Sequence, residues 1–128
     1  MTYVDAYVLA VKTDQKDSYK AMAEEVWPQF SAAGALALHE FWGDDVPEGK
    51  VTSFPMAVKC EPDETVVFGW VEWPDRATRD AGNAALEAQH AKDMEQAAQQ
   101  DAPQTPPVDP MRMIWGGFAP LISRRAGG

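Results

Sequence analysis

A chain of 128 residues, 45% hydrophobic and 24% charged, is long enough to bury a core of its own and too short for two ordinary domains. Its formal net charge of −9 repels a phosphate backbone and gives no polybasic attraction to anionic lipid, so neither nucleic acid nor a membrane surface is expected as a partner. Cys60 is the single cysteine, which excludes an internal disulfide. No basic-then-apolar leader stands at the start, and no run approaches the roughly 20 apolar residues of a membrane span, so the expected setting is cytoplasmic.

In chain order, Tyr3 to Val11 reads as a strand with two unequal faces. Val4, Ala6, Val8 and Ala10 are small and suit close approach by helices, whereas Tyr3, Asp5, Tyr7, Leu9 and Val11 are bulkier and need a different partner. Asp14 can cap a helix whose apolar positions Tyr19, Met22, Ala23, Val26, Phe30 and Ala33 form one stripe, ended by Gly34. Pro28 removes a backbone donor inside that pattern and predicts a kink or break near Val26 and Trp27. Ala35 to Trp42 follows as a strand with Leu36, Leu38, Glu40 and Trp42 on one face.

From Gly43 to Phe54 runs a loop dense in aspartate, proline and glycine, all of which restrict the backbone. Phe54 to Cys60 is expected to be a short strand, confined by Pro55 to an edge. Thr65 to Trp73 is the clearest strand, and Gly69 within it marks a bulge or a close approach by another backbone. Asp75 caps a long alanine-rich helix with Ala77, Ala81, Ala84, Ala85 and Ala88 on its small face, fading through His90 to Gln100. Residues 101–110 form a proline-rich connector, Met111 to Ile122 a final strand weakened by Gly116 and Gly117, and 123–128 a polar tail. The expectation is one domain over 1–122, of class α+β, with the βαββαβ order of a ferredoxin-like sandwich.

Such a sandwich packs both helices on one face of an antiparallel sheet, and the aromatic residues left on the other face call for a second copy as cover. A homodimer is therefore expected, with a pocket between the sheet and its mate for a small apolar or aromatic ligand and without a bound cofactor.

Each candidate site residue has a plainer reading beside the functional one. Asp44, Asp45, Lys50, Thr52 and Ser53 fit capping of the loop better than chemistry, though a ligand contact from Asp44, Asp45, Lys50 or Ser53 is kept as a candidate. His39 and His90 lack ligand spacing, so no metal is expected; Met111 and Met113 read as core, and Cys60 as inert. Arg76 and Arg79 are expected to pair with a carboxylate, with an anion site built on the helix N–H groups as the alternative. Asp5, Glu40 and Glu72 are the candidate acids or bases, each assigned to the bulky face, and Tyr7, Trp42, Trp70 and Trp115 are the candidate aromatic lining. That face is expected to lie opposite the helices.

Glu40 to Pro55, together with Tyr3-Val4-Asp5, Asp63 to Phe68, Pro74 to Asp80 and Met111 to Phe118, resembles the YbaA-like family, a domain of unknown function (1428). The resemblance spans almost the whole chain and implies the dimeric α/β-barrel superfamily, in which ferredoxin-like protomers pair. That superfamily holds cofactor-free monooxygenases, haem-handling enzymes and plain ligand binders. The resemblance transfers neither an activity nor catalytic residues, and leaves a non-catalytic structural or interaction dimer as the alternative to a small-molecule binder or cofactor-free enzyme.

Overall fold

The computed structural model describes residues 2–99 and 108–127. Strand β1 (Tyr3–Lys12) leads through a 3₁₀ turn (Thr13–Gln15) into helix α1 (Lys16–Ala32), then β2 (Ala37–Trp42), a one-turn helix α2 (Phe54–Ala57), β3 (Glu64–Trp73), the long α3 (Arg76–Gln99), a second 3₁₀ turn (Pro110–Arg112) and β4 (Ile114–Phe118). The four strands form one antiparallel sheet in the order β2-β3-β1-β4, which is the ferredoxin-like arrangement.

Local chemistry explains the boundaries. Helix α1 ends at Gly34, whose φ of 110° only glycine adopts easily; the amide of Ala35 then folds back onto the carbonyl of Phe30 at 3.0 Å. Asp75 accepts the amide of Thr78 at 2.7 Å and caps α3 as expected. Pro28 does not break α1, which runs unbroken from Lys16 to Ala32. The donor lost at Pro28 is one bond, while Trp27 and Phe30 on either side of it pack into the core around Trp73.

Other expectations need correction. Phe54 to Ala57 is helical rather than extended, because Ser53 accepts the amide of Met56 at 3.1 Å and Pro55 occupies the first turn, where its missing donor costs nothing. The last strand is only Ile114–Phe118; Asp109 accepts the amide of Met111 and turns the preceding residues into a 3₁₀ turn, leaving Met111 90% exposed rather than in the core. Of the connector, 101–107 lies outside the described residues, and Val108 pairs with Val11 as an isolated bridge.

The largest correction concerns the sheet faces. Helices α1 and α3 cover the bulky face, with Leu9, Val11 and Val67 packed on Tyr19 and Met22, and Val71 and Trp73 packed among Trp27, Phe30 and Leu86. Volume explains the choice: α3 is alanine-rich and brings Gly82 down onto the indole of Trp73, where a Cβ would lie 2.5 Å from the ring. Small helix faces against a small sheet face would leave the layer unfilled. The small face, carrying Val4, Ala6, Val8 and Ala10, is left open except at one end, where Val58 and Val46 pack on Ala10 and Val66.

Candidate functional site

Two adjacent rows of residues cross the sheet on its helix side, and each contains one glycine. The first row is Glu40, Gly69, Tyr7 and Trp115, taken from β2, β3, β1 and β4. The second is Leu38, Val71, Asp5 and Gly117. Gly69 is not a bulge, since the register runs through it unbroken. A Cβ at Gly69 would stand 2.9 Å from both the Cγ of Glu40 and the ring of Tyr7, so its bare backbone is the gap in which those two side chains converge.

Tyr19 of α1 completes that convergence by donating its hydroxyl to Oε1 of Glu40, and the Tyr7 hydroxyl acts on the same carboxyl. Burial pushes the Glu40 carboxyl above its ordinary value, and the two hydroxyl bonds offset this in part. Burial, reinforced by the neighbouring carboxylate, also raises Tyr7 and Tyr19, so both phenols stay neutral and serve as donors. The cluster holds no fixed positive charge. Its carboxyl can exchange a proton at higher pH than a solvated glutamate, the property needed for a general acid or base.

Asp5, one row away, has a different environment. Arg79 reaches it through Nε at 2.9 Å and Nη2 at 2.9 Å, Trp73 donates Nε1 at 3.0 Å, and Asn83 donates Nδ2 at 3.3 Å. Gly117 makes room for this assembly, because a Cβ there would lie 2.7 Å from Nη2 of Arg79. Arg79 also bonds Asp80 and lies over the ring of Tyr3 at 5.3 Å. Arg79 pairs with carboxylates as expected, and Arg76 approaches Asp80 at 3.6 Å. With five N–H···O contacts to fixed donors, Asp5 is a structural anchor for α3.

Two hollows meet at Glu40. An inner cavity of about 310 Å³ lies between sheet and helices, walled by Leu9, Met22, Phe30, Val71 and Trp115, with Asp5 and Glu40 at its polar edge. An outer cleft of about 770 Å³ lies between α1 and the edge strand β2, walled by Trp27, Leu36, Leu38 and Trp42. Tyr19, Ala23, Leu38 and Glu40 line both, so the Tyr19–Glu40 bond stands at the boundary between them.

Asp5, Tyr7, Glu40, Trp42 and Trp115 thus face the helix layer, not a mate across the open face. Trp70 and Glu72 do not join them: they lie on the open face, where the indole of Trp70 donates to Glu72 at 3.2 Å. Asp44, Asp45 and Lys50 are exposed in the loop, and Ser53 serves as the cap of α2. Sequence reasoning took Tyr19 only as a core position. The available signal was that α1 and β2, joined by a tight turn, run antiparallel and set the middle of one beside the middle of the other.

A second ion pair was also missed. Arg112 grips Glu64 with two bonds of 2.7 Å, and Nη1 of Arg112 also bonds the carbonyl of Lys59, whose φ of 51° is unusual for a non-glycine residue. These bonds from Arg112 hold the Glu64 carboxyl down at about 2. This clamp ties the start of β4 to the start of β3. Burial raises the Cys60 thiol, which disfavours the reactive thiolate. Among the described residues no group of three His, Cys, Asp or Glu side chains is placed to hold a metal, and no helix is long and apolar enough to cross a membrane.

The chain is similar to solved and to uncharacterised proteins alike. A crystal structure of a dimeric ferredoxin-like protein from an uncultured marine organism superposes with a TM-score of 0.54 over 98% of this chain and 100% of the other, at 12% identity, and so shares the fold. The uncharacterized protein YbaA of Escherichia coli K12 is 45% identical over 122 residues, 95% of this chain and 98% of the relative, and YbaA of Shigella flexneri matches to the same extent. The model of a family described as protein of unknown function (DUF1428) matches residues 2–105, and the chain belongs to that family.

Proposed function

We propose that this protein binds a small apolar or aromatic molecule on the helix side of its sheet, with Glu40, Tyr19 and Tyr7 as the polar anchor. The observation that carries the reading is a half-buried carboxyl, met only by phenol hydroxyls, at the junction of two apolar hollows. A few convergent polar groups in an apolar concavity are what a small-ligand site needs. The raised carboxyl extends the reading to a cofactor-free acid or base acting on such a ligand.

The open face supports a homodimer beside this site. Phe41, Phe68 and Trp70 stack there with ring centroids 5.3 to 6.4 Å apart, while Phe41 is 50% and Phe118 58% exposed. A second copy of the same face is the self-complementary cover, a reading supported by the structural neighbour, which is a dimeric ferredoxin-like protein. A purely structural dimer is the alternative, and the aromatic face is what favours it.

A thermal-shift experiment with 2-naphthol, run alongside sedimentation, separates the two readings. Filling the cleft with Leu38→Trp should abolish the melting shift that naphthol gives the parent, about 2.7 kcal/mol at a hundredfold excess over Kd, while the protein stays dimeric. Phe68→Glu should yield monomers that retain the shift. A parent that is indifferent to naphthol overturns the ligand site, and a compact monomeric parent overturns the dimer.

A further inference from the structure

The outer cleft has a direction as well as a volume. Along its floor the chain runs from Leu36 through β2 to Trp42, about 20 Å at the usual rise of a strand, and its roof is α1 running the opposite way. Trp27 and Glu24 therefore mark one end, and Lys20 and Lys16 mark the other beside Trp42. Lys16 holds its ammonium 5.2 Å from the centroid of the Trp42 ring. Among the described residues neither Lys16 nor Lys20 takes part in an ion pair, and they are the two cations that line the cleft.

We infer that the cleft takes a monoanionic amphiphile, a carboxylate with an apolar body, lying lengthwise with its head at Lys16 and Lys20 and its tail toward Trp27. This rests on the ligand reading above and specifies its chemistry. In a protein of net charge −9, two cations without carboxylate partners at one end of an apolar slot are complementary to an anion there. Glu24 at the far end repels the reversed pose and faces only the end of the tail. The tail would lie along Leu38 and Trp42 and pass Glu40 on the side where the Tyr19 hydroxyl caps its Oε1.

Tryptophan-fluorescence titration with decanoate, decanol and decylammonium tests this, since Trp27 and Trp42 line the cleft. Decanoate should bind at least fivefold more tightly than decanol, and decylammonium more weakly than either. The surface double variant Lys16→Gln/Lys20→Gln should bring decanoate down to the level of decanol while leaving decanol unchanged. Decanol binding as tightly as decanoate, or a preference that survives the double variant, overturns the headgroup assignment and leaves the cleft as a neutral-ligand site. Failure of all three to bind, together with no response to naphthol, overturns both.

Discussion

Asp5 and Glu40 stand in neighbouring rows of one sheet face, both opposite a glycine and both beside helix α1 or α3, yet they are built for different purposes. Nitrogen donors surround Asp5, one of them a guanidinium that is itself only 14% exposed. Among the described residues Glu40 meets phenols and pairs with no cation. A buried carboxylate with a matched cation fixes a structure, because its charge is already compensated. One held by hydroxyls in an apolar hollow binds a proton more readily than a solvated one, and that is a property a ligand can use.

Removing charge from each acid is the sharpest way to break the comparison. Asp5→Asn should destabilise by about 3–5 kcal/mol, because it takes the buried carboxylate from Arg79 and leaves that guanidinium only the exposed Asp80. Chemical denaturation would measure it. A loss below about 1 kcal/mol would show that Asp5 is not the anchor of α3.

Filling the two glycine gaps is the next test. Gly69→Ala places a methyl 2.6 Å from the carbonyl of His39 and against Glu40 and Tyr7, and should cost roughly 1–3 kcal/mol while abolishing the naphthol shift. Gly117→Ala crowds the ends of Tyr3 and Arg79 instead, and should lower the melting point while leaving the ligand response intact. Equal loss of ligand response in both would mean that the two rows form one site.

Glu40→Gln gives the smallest effect, within about 1 kcal/mol at pH 7 and of either sign, because the change removes a charge held at a cost. Its signature is in the pH dependence. A carboxyl raised by folding binds its proton more tightly in the folded state, so its contribution is full below the ordinary 4.5 and is lost as pH rises above that value. Glu64 behaves oppositely: lowered to about 2, it contributes fully above 4.5 and loses that contribution as pH falls toward 2. Melting curves of the parent, Glu40→Gln and Glu64→Gln from pH 2 to 8 should therefore differ on opposite limbs. Parallel curves for the parent and Glu40→Gln would place Glu40 in solvent.

Much of this was legible in the residues. Period-two alternation puts Asp5 with Tyr7 and Glu40 with Leu38 and Trp42, and the element order implies the sandwich. Alternation cannot say which face a helix will cover, because that depends on the volume the helix brings. The alanines and Gly82 of α3 needed Trp73 to fill the layer, and the bulky face turned inward. Trp70 and Glu72 parted from the candidate site for the same reason. Phe54-Pro55 read as an edge strand because both residues suit one, and a single hydroxyl at Ser53 decided otherwise. The pairing of Arg112 with Glu64 spans 48 positions and leaves no local trace.

The glycine rows also constrain how this chain can vary over evolutionary time. Gly69 is an absence shared by Tyr7, Glu40 and the carbonyl of His39, so a side chain can appear there only if the edge strand shifts and Tyr7 or Glu40 gives way in the same lineage. Positions 7, 40 and 69, far apart along the chain, form a single unit of inheritance, and Gly117 forms another with Tyr3 and Arg79. Substitutions within either unit should arrive in pairs, and a homologue that has lost one member of the first should have altered its ligand along with it.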